Sequence, residues 1–350
     1  MRAAVMEGIR KPLTVRDMPD PSPAPNGAVV RVEANGICRT DWHLWVGDWS
    51  WFGIQLPMPH VLGHEFCGVV EAVGRDVTRV KVGDRVLVPF SQGDGTCEWC
   101  RSGHHNVCDT LLTPGVVYWG GYGRYVAVPF ADVNLVTLPD SVGFVDAASM
   151  GCRFMTAFHG LVDRAGVRAG EWVAVHGCGG VGLSAVQIAS ALGARVIAVD
   201  VAPDKLAMAK TLGAAATVDA SRDDASKAVM QLTRGGAHVA VDALGIAATC
   251  QGAMMSLRKR GRHLQIGLTS SAEQGMIALP IDLIVLKEIT LVGSLGMQAP
   301  RYPAMLGMVE MGQLAPGKLV QQRIGLEQAG EVLASMDRYG TVGVTVIDRY

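Results

Sequence analysis

The strongest constraint on this chain is a strand that runs into a glycine turn and out again into a helix. WVAVHG, residues 172–177, is a short apolar run, and VGLSAVQIASALG reads as an apolar helix. Between them Gly177, Cys178, Gly179, Gly180, Val181 and Gly182 fit the spacing G-x-G-x-x-G. In a chain with 43 glycines the spacing alone is weak, and its place between strand and helix gives it meaning. Strand and helix then alternate through ARVIAVD, PDKLAMAKTLG, AATVDA, a helix over about 223–234, HVAVDAL, a helix over about 246–258, GRHLQIG and, after a linking segment, ITLVGS. Six such strands predict a doubly wound parallel sheet with helices on both faces.

That frame assigns each glycine a task. Gly177 permits the tight turn, Gly179 lets the backbone approach a pyrophosphate, and Gly182 lets helix and strand pack closely. Gly180 and Val181 open the helix whose free N–H groups would hold the phosphates. Asp200 ends the next strand at the separation of roughly 20 residues where a carboxylate meets the adenosine ribose. It would repel a 2′-phosphate, so NAD is expected rather than NADP. Lys205, within a turn of that strand end, is a candidate for the same ribose.

Residues 1–153 have a different texture. GAVVRVEANGI, FCGVVEAVG, DRVLVPF and GRYVAVP are short Val-rich runs between Gly and Pro, which read as strands joined by tight turns. An α/β chain of two domains follows: 1–153, completed by 297–350, and 154–296. The tail reads as one helical stretch and a final strand, GVTVID.

Eight cysteines lie unevenly along the chain, three of them (Cys97, Cys100 and Cys108) within a dozen residues. With no apolar leader at the N-terminus, metal ligation or burial is expected rather than a disulfide framework. Asp94 precedes the three thiols, and carboxylate oxygen is an acceptable zinc ligand. Asp94, Cys97, Cys100 and Cys108 are therefore expected to form a structural zinc lobe, with His104 or His105 as the alternative fourth ligand. Cys38 stands in GICRTDWH and His64 in GHEFCGVVEAVGRDV. Here the chain resembles the zinc-dependent alcohol dehydrogenases of the medium-chain dehydrogenase/reductase superfamily, and CRTDWHLWVGDW is similar to the microbial, tetrameric branch.

The resemblance implies a GroES-like catalytic domain beside a Rossmann domain, two zinc ions per chain, and NAD. Cys38, His64 and Cys152 would hold a catalytic zinc. Two thiolates and a neutral imidazole balance its charge and leave a fourth position open, where an alcohol hydroxyl becomes far more acidic. Glu65 corresponds to the family's glutamate behind the zinc, and Asp41 to the carboxylate that orients His64. Thr40 and His43 match a proton relay from alcohol to water. Arg39 corresponds to a residue facing the pyrophosphate and Thr156 to one packed on the nicotinamide. Trp49 and Phe90 match the substrate channel, with Tyr118 and Trp119 as its roof, which favours hydrophobic primary or secondary alcohols and their aldehydes or ketones. One departure stands out: Val344 occupies the final strand where the family often has an arginine.

Other classes fit less well. A net charge of −1 offers no field for nucleic acid, and no apolar run reaches the ~18 residues of a membrane span. A cytoplasmic homotetramer, or a dimer, is expected. A zinc-free reductase of the same superfamily would not need Cys38, His64 and Cys152. A non-catalytic dinucleotide binder with a structural zinc would not need Thr40 and His43.

Overall fold

The computed structural model describes residues 1–338 and 340–350. It packs them as two units: Met1–Met155 with Gly296–Tyr350, and Thr156–Leu295. The cuts expected from the sequence were 153/154 and 296/297.

In the second unit six parallel strands lie in the order Ala216–Asp219, Arg195–Asp200, Trp172–His176, Ala237–Asp242, Leu257–Gln265 and Thr290–Gly293. The winding reverses beside Trp172–His176, so the carboxyl ends of that strand and of Ala237–Asp242 flank a switch point. Val173, Ala174, Val175, Val196, Ile197 and Ala198 are fully buried, which is why these strands read as unbroken apolar runs. The linking segment holds a helix absent from the sequence reading, Ile281–Lys287. Its Leu283 and Ile284 pack half-buried against the core of the sheet while Ile281, Val285 and Leu286 stand exposed, so apolar residues fall on both faces and mark no single buried stripe.

The first unit is built around the long strand Ala28–Ile37. It pairs antiparallel with Phe66–Val73, Tyr125–Val128 and Val344–Arg349. Arg85–Val88 and Val136–Thr137 extend the sheet on one side, and Val320–Gly325 closes the other. A smaller sheet joins Arg2–Met6 to Thr14–Asp17 and His60–Val61. The tail is richer than expected, with two helices, Tyr302–Glu310 and Ala329–Ser335, and the extra strand Val320–Gly325. That strand's exposed Gln321, Gln322 and Arg323 hid it in the sequence, since an edge strand needs little apolar surface. No helix among the described residues is long and apolar enough to cross a membrane.

Candidate active site and metal clusters

The first helix, Arg39–Val46, organises much of the site. Cys38 is its N-cap, in extended conformation, and Asp41 reaches back to accept the Cys38 N–H at 2.9 Å. The buried Asp41 carboxylate also accepts from Gly63 N–H at 3.2 Å and from the Tyr122 hydroxyl at 3.3 Å. It lies 3.0 Å from His64 Nδ1. An ionised carboxylate can only accept, so Nδ1 carries a proton, and Nε2 is the nitrogen that the neutral ring can offer to a metal. That Nε2 is buried with no hydrogen-bond partner.

Cys152 arrives from the π-helical turn Met150–Phe154, and its sulfur lies 4.0 Å from that of Cys38. The ligand atoms of Cys38, His64 and Cys152 all lie within 4.8 Å of one another. Two thiolates at about 2.3 Å from one tetrahedral zinc would sit roughly 3.8 Å apart, so the donor set and its spacing fit zinc. The three groups also shift one another's protonation. The hydrogen bond from Cys152 holds the Cys38 thiol well below its ordinary pKa, and the same bond, with burial, raises that of Cys152. Burial works against a charged His64, yet Asp41 and Cys38 leave its pKa well above the ordinary value.

Glu65 is fully buried and pairs with Arg153, a residue the sequence reading missed. One carboxylate oxygen accepts the Arg153 N–H at 3.0 Å and Nε–H at 3.1 Å, and the other accepts from Nη2. The signal was available: a carboxylate destined for burial needs a cation, and Arg153 directly follows Cys152. Gly36 is part of this arrangement, because a Cβ there would stand 2.4 Å from Glu65 Oε2.

Thr40 and His43 stand one turn apart on the same helix, and so on one face of it. His43 Nδ1 lies 2.5 Å from Asp48 Oδ2, and its ring stacks on Trp49 at 4.7 Å. Trp49 is thus packed on His43, and Phe90 stands edge-on to His64 with ring centroids 6.1 Å apart. Tyr118 donates its hydroxyl to Gln92 Oε1 at 2.7 Å, and Trp119 packs against the N-terminal core. The Arg39 guanidinium lies 3.6 Å over the Trp42 ring and donates to the Met336 carbonyl. Val344 is buried in the final strand. Thr156 is a buried residue of the second unit.

The second cluster forms within one loop. Cys97 and Cys108 sulfurs lie 3.8 Å apart, and Asp94 Oδ1 lies 3.5 Å from Cys108 and 3.9 Å from Cys100. Asp94, not His104 or His105, is the residue gathered with the three thiols.

In the second unit the glycine turn has the geometry its spacing predicted. Gly177 has φ 89°, and a Cβ on Gly182 would meet the Gly177 carbonyl at 1.8 Å. A Cβ on Gly179 would meet nothing within 4 Å, so its backbone faces open space. Gly179 caps the helix Gly180–Ala191 without a side-chain bond, which leaves the first N–H groups for an anion. Asp200 accepts Cys178 N–H at 2.6 Å and Ala202 N–H at 2.9 Å, which fixes its carboxylate beside the turn. Lys205 is half-buried on the following helix, Pro203–Thr211.

A β unit with a buried Cys/His/Cys cluster and a doubly wound sheet with its glycine turn define a two-domain α/β dehydrogenase class. Known proteins agree. Residues 24–140 match the alcohol dehydrogenase GroES-like domain, and residues 180–311 match the zinc-binding dehydrogenase domain. The chain is 37% identical to an alcohol dehydrogenase of Geobacillus stearothermophilus, over 84% of this chain and 85% of that protein. It is 31% identical to an NAD-dependent alcohol dehydrogenase of Sulfurisphaera tokodaii, over 99% of each. The solved alcohol dehydrogenase TADH from Thermus sp. ATN1 superposes with a TM-score of 0.91 at 31% identity, covering 100% of both chains. This chain belongs to the zinc-type alcohol dehydrogenases of the medium-chain dehydrogenase/reductase superfamily.

Proposed function

We propose that the protein is an NAD-dependent alcohol dehydrogenase that reversibly oxidises hydrophobic primary or secondary alcohols to aldehydes or ketones. The observation that carries this is the convergence of Cys38, His64 and Cys152, with His64 Nε2 buried, unpartnered and aimed by Asp41. When bound there, zinc supplies a Lewis acid that acidifies the alcohol, and NAD supplies the hydride acceptor. The chain's own residues do the rest. Cys38, His64 and Cys152 are the zinc ligands. Asp41 fixes the imidazole tautomer, and Arg153 neutralises Glu65 so that its carboxylate can stay buried. Thr40 and His43 carry the alcohol proton outward. Asp94, Cys97, Cys100 and Cys108 hold a second, structural zinc.

For the coenzyme, the turn Gly177–Gly182 and the helix after it receive the pyrophosphate, and Asp200 with Lys205 meets the adenosine ribose. Arg39 is the candidate cation for the pyrophosphate by the family resemblance, Thr156 packs on the nicotinamide, and the buried Val344 contributes no charge. Phe90 and Trp49 give the substrate side its apolar character. The exposed Ile281, Val285 and Leu286 support self-association, to a homotetramer by our reading. The test is a panel of alcohols and carbonyls assayed with NAD and NADP alongside metal analysis. Two zincs per chain and preference for NAD by kcat/KM support the reading, and an active, zinc-free protein overturns it.

A further inference from the structure

We propose that Asp48 is the positioning residue for His43. Its carboxylate fixes the imidazole with a proton on Nδ1, so that Nε2 is the nitrogen that takes up the proton leaving the alcohol. This rests on the reading of Thr40 and His43 as the proton route, and it adds a residue that reading does not use.

The argument begins where the first helix stops. Gly47 ends it in the left-handed conformation, and its N–H returns to the carbonyls of His43 and Leu44. The next N–H, that of Asp48, also bonds the His43 carbonyl, at 2.9 Å. The chain therefore doubles back over His43 and delivers two side chains to it. The Asp48 carboxylate, 9% exposed, sits 2.5 Å from Nδ1. Trp49 lies flat on the ring, 9° from parallel, and Trp42 stands edge-on at 5.0 Å. A carboxylate offers no proton to Nδ1, so Nδ1 must donate and Nε2 must accept. The two indoles oppose rotation of the ring, which would exchange the nitrogens. Asp41 acts on His64 in the same way: both imidazoles are gripped at Nδ1 by an aspartate of one helix or of its closing turn.

The proton balance is simple. Nε2 takes one proton, the neutral imidazole becomes an imidazolium, and the Asp48–His43 pair passes from one negative charge to none. Release to water restores it, and no bond to Asp48 breaks. The charged and titratable groups around His43 are Asp48, Arg39 and Cys38. Burial makes the ring harder to protonate and leaves its pKa below the ordinary histidine value, while the hydrogen bond and charge of Asp48 oppose that loss. Without Asp48 the ring would be a weaker base with no preferred tautomer.

The experiment uses the zinc-loaded full chain with 15N-labelled histidine. Asp48→Asn keeps the shape of the side chain and removes its charge, and Asp48→Glu keeps the charge. In the unmodified protein the His43 resonances should report the Nδ1–H tautomer. Asp48→Asn should mix the tautomers and raise the acid dissociation constant of His43 by about tenfold or more, the scale of one lost adjacent opposite charge. Single-turnover alcohol oxidation near neutral pH should fall by roughly tenfold, with kcat affected and KM little changed. Asp48→Glu should restore part of both. An Asp48→Asn protein with the parent tautomer and dissociation constant overturns the proposal. So does one whose resonances change while its oxidation rate does not, provided His43→Gln is slow. A His43→Gln enzyme with the parent rate and pH profile removes the proton route itself, whatever the resonances report.

Discussion

The two cysteine clusters use similar donors and are built in opposite ways. Asp94, Cys97, Cys100 and Cys108 come from one short loop in which Asp94 and Cys97 remain partly exposed. Cys38, His64 and Cys152 come from a helix N-cap, a strand entry and a π-helical turn, and all three are buried. A metal bound between residues this close in sequence ties the loop to itself and so contributes to its folding. The buried cluster is already held by Asp41, by the Glu65–Arg153 pair and by the sheet around Ala28–Ile37. The same kind of metal would then stabilise one region and do chemistry in the other.

The largest expected effect separates the two directly. Cys38→Ser or His64→Ala should remove one zinc per chain and lower kcat by about a thousandfold or more, since a Lewis acid contributes several kcal/mol to the transition state. Melting temperature should hardly move. A metal-depleted variant that melts far below the parent would mean that the buried site is not preformed.

Next is the ion pair that substitutes for metal as the buried site's support. Arg153→Met leaves Glu65 as an uncompensated charge and should cost about 3–5 kcal/mol in denaturant unfolding. Glu65→Gln combined with Arg153→Met should recover much of that loss. If the single variant is as stable as the parent, the scaffold does not depend on this pair.

Asp41→Asn tests the hold on His64. Loss of such a partner typically weakens metal binding by about 10–100-fold. Competition with a chelator should show one zinc leaving earlier and the other unchanged. Equal retention of both zincs would remove Asp41 from the account.

The smallest effect belongs to the lobe. Asp94→Ala should loosen the second zinc and lower the melting temperature by a few degrees, on the order of 1–2 kcal/mol. Activity at low temperature should persist, and Asp94→Cys should be tolerated. Unchanged zinc content and melting in Asp94→Ala would transfer the ligand role to another residue.

The same contrast explains what could be read in advance. The lobe and the glycine turn are contiguous, so spacing carries them, and GHE and CRTDWH place His64 and Cys38 on recognisable frames. The pairing of Glu65 with Arg153 spans 88 positions and leaves no periodic trace. Asp48 was hidden for a different reason. Its contact with His43 depends on the left-handed turn at Gly47, a backbone event that composition does not encode. That turn also carries Trp49 onto His43. In the tail, short 3₁₀ pieces and a polar edge strand gave no period to detect.

The return of the tail has a consequence for how the molecule is made. The sheet around Ala28–Ile37 receives Val344–Arg349 as a neighbour, and that strand is synthesised after the whole of the second unit. The first 155 residues therefore emerge with that side of the sheet unpaired. The intervening 140-residue segment, Thr156–Leu295, has its own sheet and can close while synthesis continues. The first unit is thus begun before the second and completed after it, and a nascent chain halted before Val344 would carry Cys38, His64 and Cys152 on an incomplete sheet.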